Sequence, residues 1–485
     1  MSQDVDIQKL RKRATTGARW TGTATGIRIA TQFIQLAILA RLLKVEDFGL
    51  IAMVNVVLSF AQTFGDAGVS NAIIHYRDAK RGELSSLYWL NVASGILVFI
   101  GMWFLAPLAS QVYRQPLTDY LRLGSIIFVM GPLGQQFQVL FERDLRFKRL
   151  AAIETVSIVV SSGVGVVMAF MGYGVWSLVW LGIVQAALKS LALAVVGWST
   201  WRPMLRFVPA ECRRFLHFGL YQMGERTLNL AGQHLDKLVI GIVMGPQQLG
   251  YYDLAYRLIA RPYQIVSPVF SRVAFPVFSA VQTDRNRMRK GYLELIEMLS
   301  AVTVPVYFAM FALAEPFVLL QLGPGYETTV HLLRILCIVG FFFSISSPQG
   351  TLVLACGRAD IGFYMNGLRT ALVVAGIWIG GRWGLSGIAW ALVIVVGGVM
   401  FPVHAMIRRR LVGMQLGEFM NRLLPFVWAS IPAALVCIAV RRVVTWPHAA
   451  VELAVMLPIA GAIYSGLLWW RARTSVQRLL RLARS

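Results

Sequence analysis

Apolar runs of roughly 18 to 25 residues follow one another from end to end of this chain, broken by short polar segments rich in Lys and Arg. As helices rising ~1.5 Å per residue, such runs cross the ~30 Å hydrocarbon layer of a bilayer. They lie near 17–40, 46–69, 84–110, 118–141, 149–171, 174–200, 213–243, 247–280, 292–315, 327–354, 360–381, 384–407, 417–440 and 448–470. The pattern predicts an all-α polytopic membrane protein with about fourteen transmembrane helices.

The polar positions inside these runs are not scattered. In the first, Thr21, Thr25, Arg28, Gln32 and Gln35 recur at spacings of four, three, four and three, which places them on one helix face. In the seventh, Arg226, Asn229, Gln233 and Lys237 form a second stripe, with Glu225 and Asp236 beside it. In the eighth, Asp253, Arg257 and Arg261 stack one turn apart, flanked by Tyr252, Tyr256 and Tyr263. A stripe of this kind faces protein or water, because a charge at the hydrocarbon centre costs about 2.5–3.5 kcal/mol on insertion scales. Helix–helix contact is the plainer reading, but it draws more on Gln, Asn and Thr than on Arg; a hydrated cavity is the expectation here. Lys189, Arg272 and Arg422 lie toward cytoplasmic helix ends and are expected to snorkel. Pro262, Pro268, Pro276 and Gly131-Pro132 are candidate bending points.

Segments repeat. MGYGVWSLVW after the fifth run matches GRWGLSGIAW after the eleventh, aligning Gly174 with Gly384. VEDFGLIAMV after the first matches PQQLGYYDLA after the seventh, aligning Gly49 with Gly250. Two six-helix halves in the same orientation, followed by two extra helices, put a pseudo-two-fold axis along the membrane normal and a binding site between the halves.

Charge orients the chain. Of its 46 Lys and Arg, 29 fall in segments that are cytoplasmic if the amino terminus is inside, and seven in external loops. That bias places both termini in the cytoplasm and explains most of the net charge of +23 without nucleic acid. The rest is greasy: 57% hydrophobic, 14% charged, mean hydropathy +0.63. The resulting organisation is a cytoplasmic tail (1–16), an N-terminal lobe (17–205), a C-terminal lobe (206–410), two further helices (411–470) and a basic amphipathic tail on the inner leaflet (471–485). No cofactor or metal is implied: the four cysteines have no paired spacing, there is no GxxxxGK[ST] loop or HExxH, and the six histidines are dispersed. His234, near the stripe in the seventh run, is expected to be structural.

The run LDKLVIGIVMGPQQLGYYDLAYRLIARPYQIVSPVFSRVAFPVFS closely resembles the polysaccharide exporters of the MOP superfamily, Wzx-type lipid-linked oligosaccharide flippases of the colanic-acid exporter-like branch. ARLLKVEDFGLIAMV, FGDAGVSNAIIHYRD and LGPGYETTVHLLRIL share that likeness, which extends to about residue 440. The resemblance implies a MATE-like pair of lobes in the bacterial inner membrane and a monomer working by alternating access. Its cargo would be undecaprenyl-diphosphate-linked oligosaccharide repeat units, delivered for exopolysaccharide, capsule or O-antigen assembly alongside the polymerase machinery. It casts Arg28, Gln32, Arg226, Asn229, Gln233, Lys237, Arg257 and Arg261 as diphosphate and sugar contacts, and Glu225, Asp236 and Asp253 as candidate ion-coupling groups. Arg28, Arg226, Lys237, Arg257 and Arg261 outnumber those three carboxylates, which suits an anionic headgroup. A multidrug or cation antiporter of the same superfamily would want an acidic cavity. A membrane-embedded polymerase or glycosyltransferase would need a catalytic domain or large loop, and no connection between runs exceeds about twenty residues.

Overall fold

The computed structural model describes residues 2–65, 73, 80–144, 146–280, 284–444 and 446–471; the side chains of 2–21, of several residues between 211 and 231, of most between 267 and 280, and of 359 lie outside that description. Glu225, Arg226, Asn229 and Arg272 are among these, as are the motif after the second run and the basic tail from 472. Among the described residues every regular element is helical. Two compact units divide the chain, Met1–Gly250 and Tyr251–Ser485.

The first unit contains α1 (Ser2–Leu42), α2 (Val45–Gly65), α3 (Arg81–Tyr113), α4 (Thr118–Gly124), α5 (Ile127–Arg143), α6 (Phe147–Phe170), α7 (Val175–Gly197) and the first part of α8 (Pro209–Ala280). The backbone of residues 2–16, read from sequence as a tail, continues α1 as helix. Helix starts are set by acidic residues that take up free amides and complement the helix dipole. The Lys44 amide donates to Asp47 Oδ2 at 2.9 Å where α2 begins, and the Lys80 amide to Glu83 Oε2 at 2.7 Å where α3 begins. From there α1 lies along α6, α6 along α7, and α5 packs on both α3 and α7.

The second unit contains the remainder of α8 with α9 (Arg285–Ala312), α10 (Ala314–Gln321), α11 (Glu327–Ser346), α12 (Pro348–Ala355), α13 (Ala359–Gly380), α14 (Gly384–Val393), a π-helical segment (Ile394–Met400), α15 (Phe401–Val412), α16 (Leu416–Val443) and α17 (Ala449–Arg471). Asp284 caps α9, its carboxylate accepting from the amides of Asn286 and Arg287 at 3.0 and 3.1 Å. α9 packs against α11 and α16, and α16 against α17. Tyr292, Ile296 and Leu299 of α9, Phe419 and Phe426 of α16 and Leu352 of α12 share one buried core. At the other end of α16, Arg441 reaches Glu315 at 3.1 Å and Glu452 at 2.5 Å, tying α10, α16 and α17 together.

Among the described residues eleven helical stretches are long and apolar enough to cross a membrane. One of them, Asp360–Val412, runs for 53 residues. Large apolar side chains such as Leu97, Phe104, Val195 and Trp378 stand exposed on these helices, as a lipid-facing surface requires.

The repeated segments share backbone geometry. Gly174, before α7, has φ 53° and ψ −129°; Gly384, opening α14, has φ 69° and ψ −159°. Both occupy a region open to glycine and strained for other residues. Gly49 and Gly250 are used for close approach. A Cβ on Gly49 would overlap the Pro246 carbonyl, and one on Gly250 would overlap the Val45 carbonyl. Residues 45 and 49 shifted by 201 positions become 246 and 250, so the two contacts exchange under the repeat, as a local two-fold relation demands. Within α8 the non-helical residue is Gly245 (φ 82°, ψ −179°), so the break falls between the seventh and eighth apolar runs, as their limits near 243 and 247 predict.

Candidate functional site

The polar stripe of α1 turns toward α6. Arg28 Nη1 donates to Glu154 Oε2 at 3.0 Å, and the other oxygen of that carboxylate accepts from Lys189 Nζ of α7 at 3.1 Å. Two turns further along, Ser162 Oγ donates to Gln35 Oε1 at 2.6 Å. Contacts that advance in the same direction on both helices mean that α1 and α6 run parallel. One carboxylate thus stands between two cations, the three side chains keeping between 23% and 35% of their surface open. Part of the stripe is therefore helix–helix contact, and part is an accessible cationic group. Gln32, between them, is half-buried.

Sequence reasoning passed over Glu154 and treated Lys189 as a snorkelling residue. The signal for Glu154 was present: it is a lone acid in an otherwise apolar run, where a carboxylate needs a cation. Arg422, also expected to snorkel, instead donates to Glu297 Oε2 at 2.5 Å, and Glu297 is fully buried.

Of the stripe on the first part of α8, the side chains of Glu225, Arg226 and Asn229 lie outside the described set. Gln233 is exposed, Lys237 half-buried and Asp236 buried. Asp236 Oδ1 accepts from the Lys237 amide at 2.8 Å, a local backbone contact.

In the second unit, Asp253 is 1% exposed and accepts from Arg257 Nε at 2.5 Å, while Arg257 keeps 38% of its side chain open. Arg261 follows one turn later, half-buried. Tyr252, wholly buried, stacks on Tyr256 with ring centroids 6.0 Å apart, and Tyr307 of α9 donates to the Ile259 carbonyl at 3.0 Å. These contacts fix the face on which Arg257 and Arg261 stand. Asp253, read from sequence as a candidate coupling group, is here the counter-ion of Arg257.

Both clusters hold more cations than carboxylates: Arg28 and Lys189 share Glu154, and Arg257 pairs with Asp253 while Arg261 follows one turn on. A guanidinium keeps its charge at any physiological pH and offers a planar fork to phosphoryl or carboxylate oxygens. Among the described residues no group of three or more His, Cys, Asp or Glu is placed to hold a metal ion.

Residues 38–331 match a family described as "Polysaccharide biosynthesis protein". The chain is 32% identical over 378 residues to the lipopolysaccharide biosynthesis protein WzxC of Escherichia coli (strain K12), covering 77% of this chain and 76% of that one. It is 24% identical to the succinoglycan biosynthesis transport protein ExoT of Rhizobium meliloti (strain 1021), over 98% of this chain and 96% of that one. In fold it is similar to the lipid II flippase MurJ in an inward closed conformation, with TM-score 0.76 and 14% identity, covering 94% of this chain and 99% of that one.

Proposed function

The chain belongs to the polysaccharide biosynthesis protein family, among the polysaccharide exporters of the MOP superfamily, and on that premise we propose that it turns undecaprenyl-diphosphate-linked oligosaccharide repeat units from the cytoplasmic to the periplasmic leaflet of the inner membrane. It is a membrane-embedded transporter of polysaccharide units rather than an enzyme. The observation that carries the finer reading is the cation excess of the two described clusters, Arg28 and Lys189 around Glu154, and Arg257 and Arg261 with Asp253. An anionic headgroup is drawn to such groups, and a cationic drug is repelled.

In the mechanism we infer, the diphosphate is received from the cytoplasm in a central cavity by Arg28, Arg226, Lys237, Arg257 and Arg261. Gln32, Asn229 and Gln233 serve the sugars, and the polyprenyl tail stays in lipid. Alternating access then exposes the headgroup to the other side, where water and free cations release it to the polymerase machinery. Glu154 is the resident counter-ion that yields Arg28 and Lys189 to the incoming phosphates. Glu225, Asp236 and Asp253 are the candidates for ion coupling, Asp253 while paired with Arg257. The protein works as a monomer with both termini in the cytoplasm.

The test replaces Arg28, Arg257 and Arg261 singly with Gln, checks membrane insertion, and follows surface polymer together with lipid-linked intermediate. Loss of polymer with intermediate accumulating on the cytoplasmic side is expected. Normal export with altered resistance to cationic dyes would favour a multidrug or cation antiporter, and a pool of shortened sugars would favour a polymerase or glycosyltransferase.

A further inference from the structure

Three consecutive arginines, Arg408 to Arg410, close α15 and read from sequence as one basic cytoplasmic loop. The structure separates them: Arg409 and Arg410 are exposed, whereas Arg408 is 1% exposed and is the largest fully buried side chain among the described residues. Its guanidinium carbon lies 4.3 Å from the Phe419 ring centroid and 5.7 Å from that of Phe401. Tyr292, wholly buried, faces the same guanidinium. As polar groups the phenol and guanidinium interact only with each other, and not in good hydrogen-bonding geometry, so Nη1 and Nη2 of Arg408 and Oη of Tyr292 have no well-formed partner. His404, one turn earlier on α15, also buries an unpartnered Nδ1. The carboxylate adjacent to Phe419 in sequence, Glu418, has its Oε1 directed at Arg289, 3.5 Å away, and its Oε2 buried without a partner, forming no ion pair with Arg408.

Stacking on two rings offsets only part of the cost of removing a guanidinium from water. Buried polar atoms without partners are rare in folded proteins and commonly mark an ion or water that completes the site. Water suits this set poorly. A water can accept from an Nη and donate to the Tyr292 oxygen, but it leaves the guanidinium charge uncancelled. An anion accepts from these donors and cancels the charge. The burial of Arg408, Tyr292 and Phe419 suits a small ion better than a lipid headgroup with its acyl chains. We propose that Arg408 and Tyr292 form a closed binding site for a small inorganic anion, which neutralises a cation inside the second unit. The inference rests on the packing of α9, α15 and α16 alone and is independent of what the protein transports.

Chloride is the probe. The full-length protein in detergent should unfold at a higher temperature in sodium chloride than in sodium gluconate of equal ionic strength, with saturation as chloride rises. Arg408→Gln should abolish that difference. Tyr292→Phe keeps the ring and removes one donor, so it should weaken apparent chloride affinity about five- to tenfold; it decides the question if Arg408→Gln fails to fold. Crystals soaked in bromide should show an anomalous peak beside the Arg408 guanidinium. Equal unfolding temperatures in the two salts, or chloride protection undiminished in both variants, would overturn the proposal, as would protection by inorganic phosphate and not by chloride.

Discussion

Replacing Glu154 by Gln should weaken the fold slightly and strengthen anion binding, two effects of opposite sign from one carboxylate. Glu154 pairs with Arg28 at 3.0 Å and Lys189 at 3.1 Å, all three side chains partly exposed. Partly exposed pairs contribute about 0.2–1 kcal/mol apiece, so losing both costs about 0.4–2 kcal/mol of stability. A phosphoryl group arriving ~6 Å from the lost charge escapes a repulsion of about 0.7–2.8 kcal/mol, taking effective dielectrics between ~80 and ~20. Affinity for inorganic pyrophosphate should therefore rise roughly tenfold, within a range of about 3- to 100-fold. Titration calorimetry on purified wild type, Glu154→Gln and Arg28→Gln measures this directly, and the gain should shrink as salt screens the charges. If Glu154→Gln binds pyrophosphate no more tightly than wild type, or if Arg28→Gln shows the same gain, Glu154 is not a counter-ion competing with the anion.

Further outcomes follow from packing. Gly49→Ala and Gly250→Ala each push a methyl into a facing carbonyl, of Pro246 and Val45 respectively. Each should lower stability by about 1–3 kcal/mol in thermal unfolding, and unchanged midpoints in both would contradict the close reciprocal contact. Arg422→Ala leaves the fully buried Glu297 without its 2.5 Å partner. The expected loss is about 3–5 kcal/mol, largely restored by adding Glu297→Leu; no rescue in the double variant would mean the pair is not the cause. Gly384→Ala, at φ 69°, should cost at least about 1 kcal/mol through backbone strain alone, because nothing crowds its Cβ position. A midpoint equal to wild type would refute that reading.

How much of this was legible depended on whether the information was local. Apolar runs, the one-sided stripe of Arg28 and Gln35, and the paired glycines of the repeat are periodic features, visible without a partner. Pairing through space was not. Glu154 lies 126 positions from Arg28 and 35 from Lys189, and spacing along one helix says nothing about which face of another it meets. The same limit misplaced Arg422, whose carboxylate is 125 positions away. Arg408 shows the limit of charge counting. Three adjacent arginines contribute equally to a loop tally, but successive helical residues point about 100° apart, so one can enter the core while two stay in solvent. The break in α8 at Gly245 was legible too, because it falls in the short gap between the apolar runs ending near 243 and beginning near 247.

The most direct test of the transport account is translocation in a reconstituted bilayer. Proteoliposomes carrying the purified protein and a labelled undecaprenyl-diphosphate oligosaccharide should move the headgroup to the opposite leaflet, with Arg28→Gln slower by about 10- to 100-fold, the worth of one charge-assisted contact. Equal rates for wild type and Arg28→Gln, or equal translocation of an uncharged glycolipid, would contradict it.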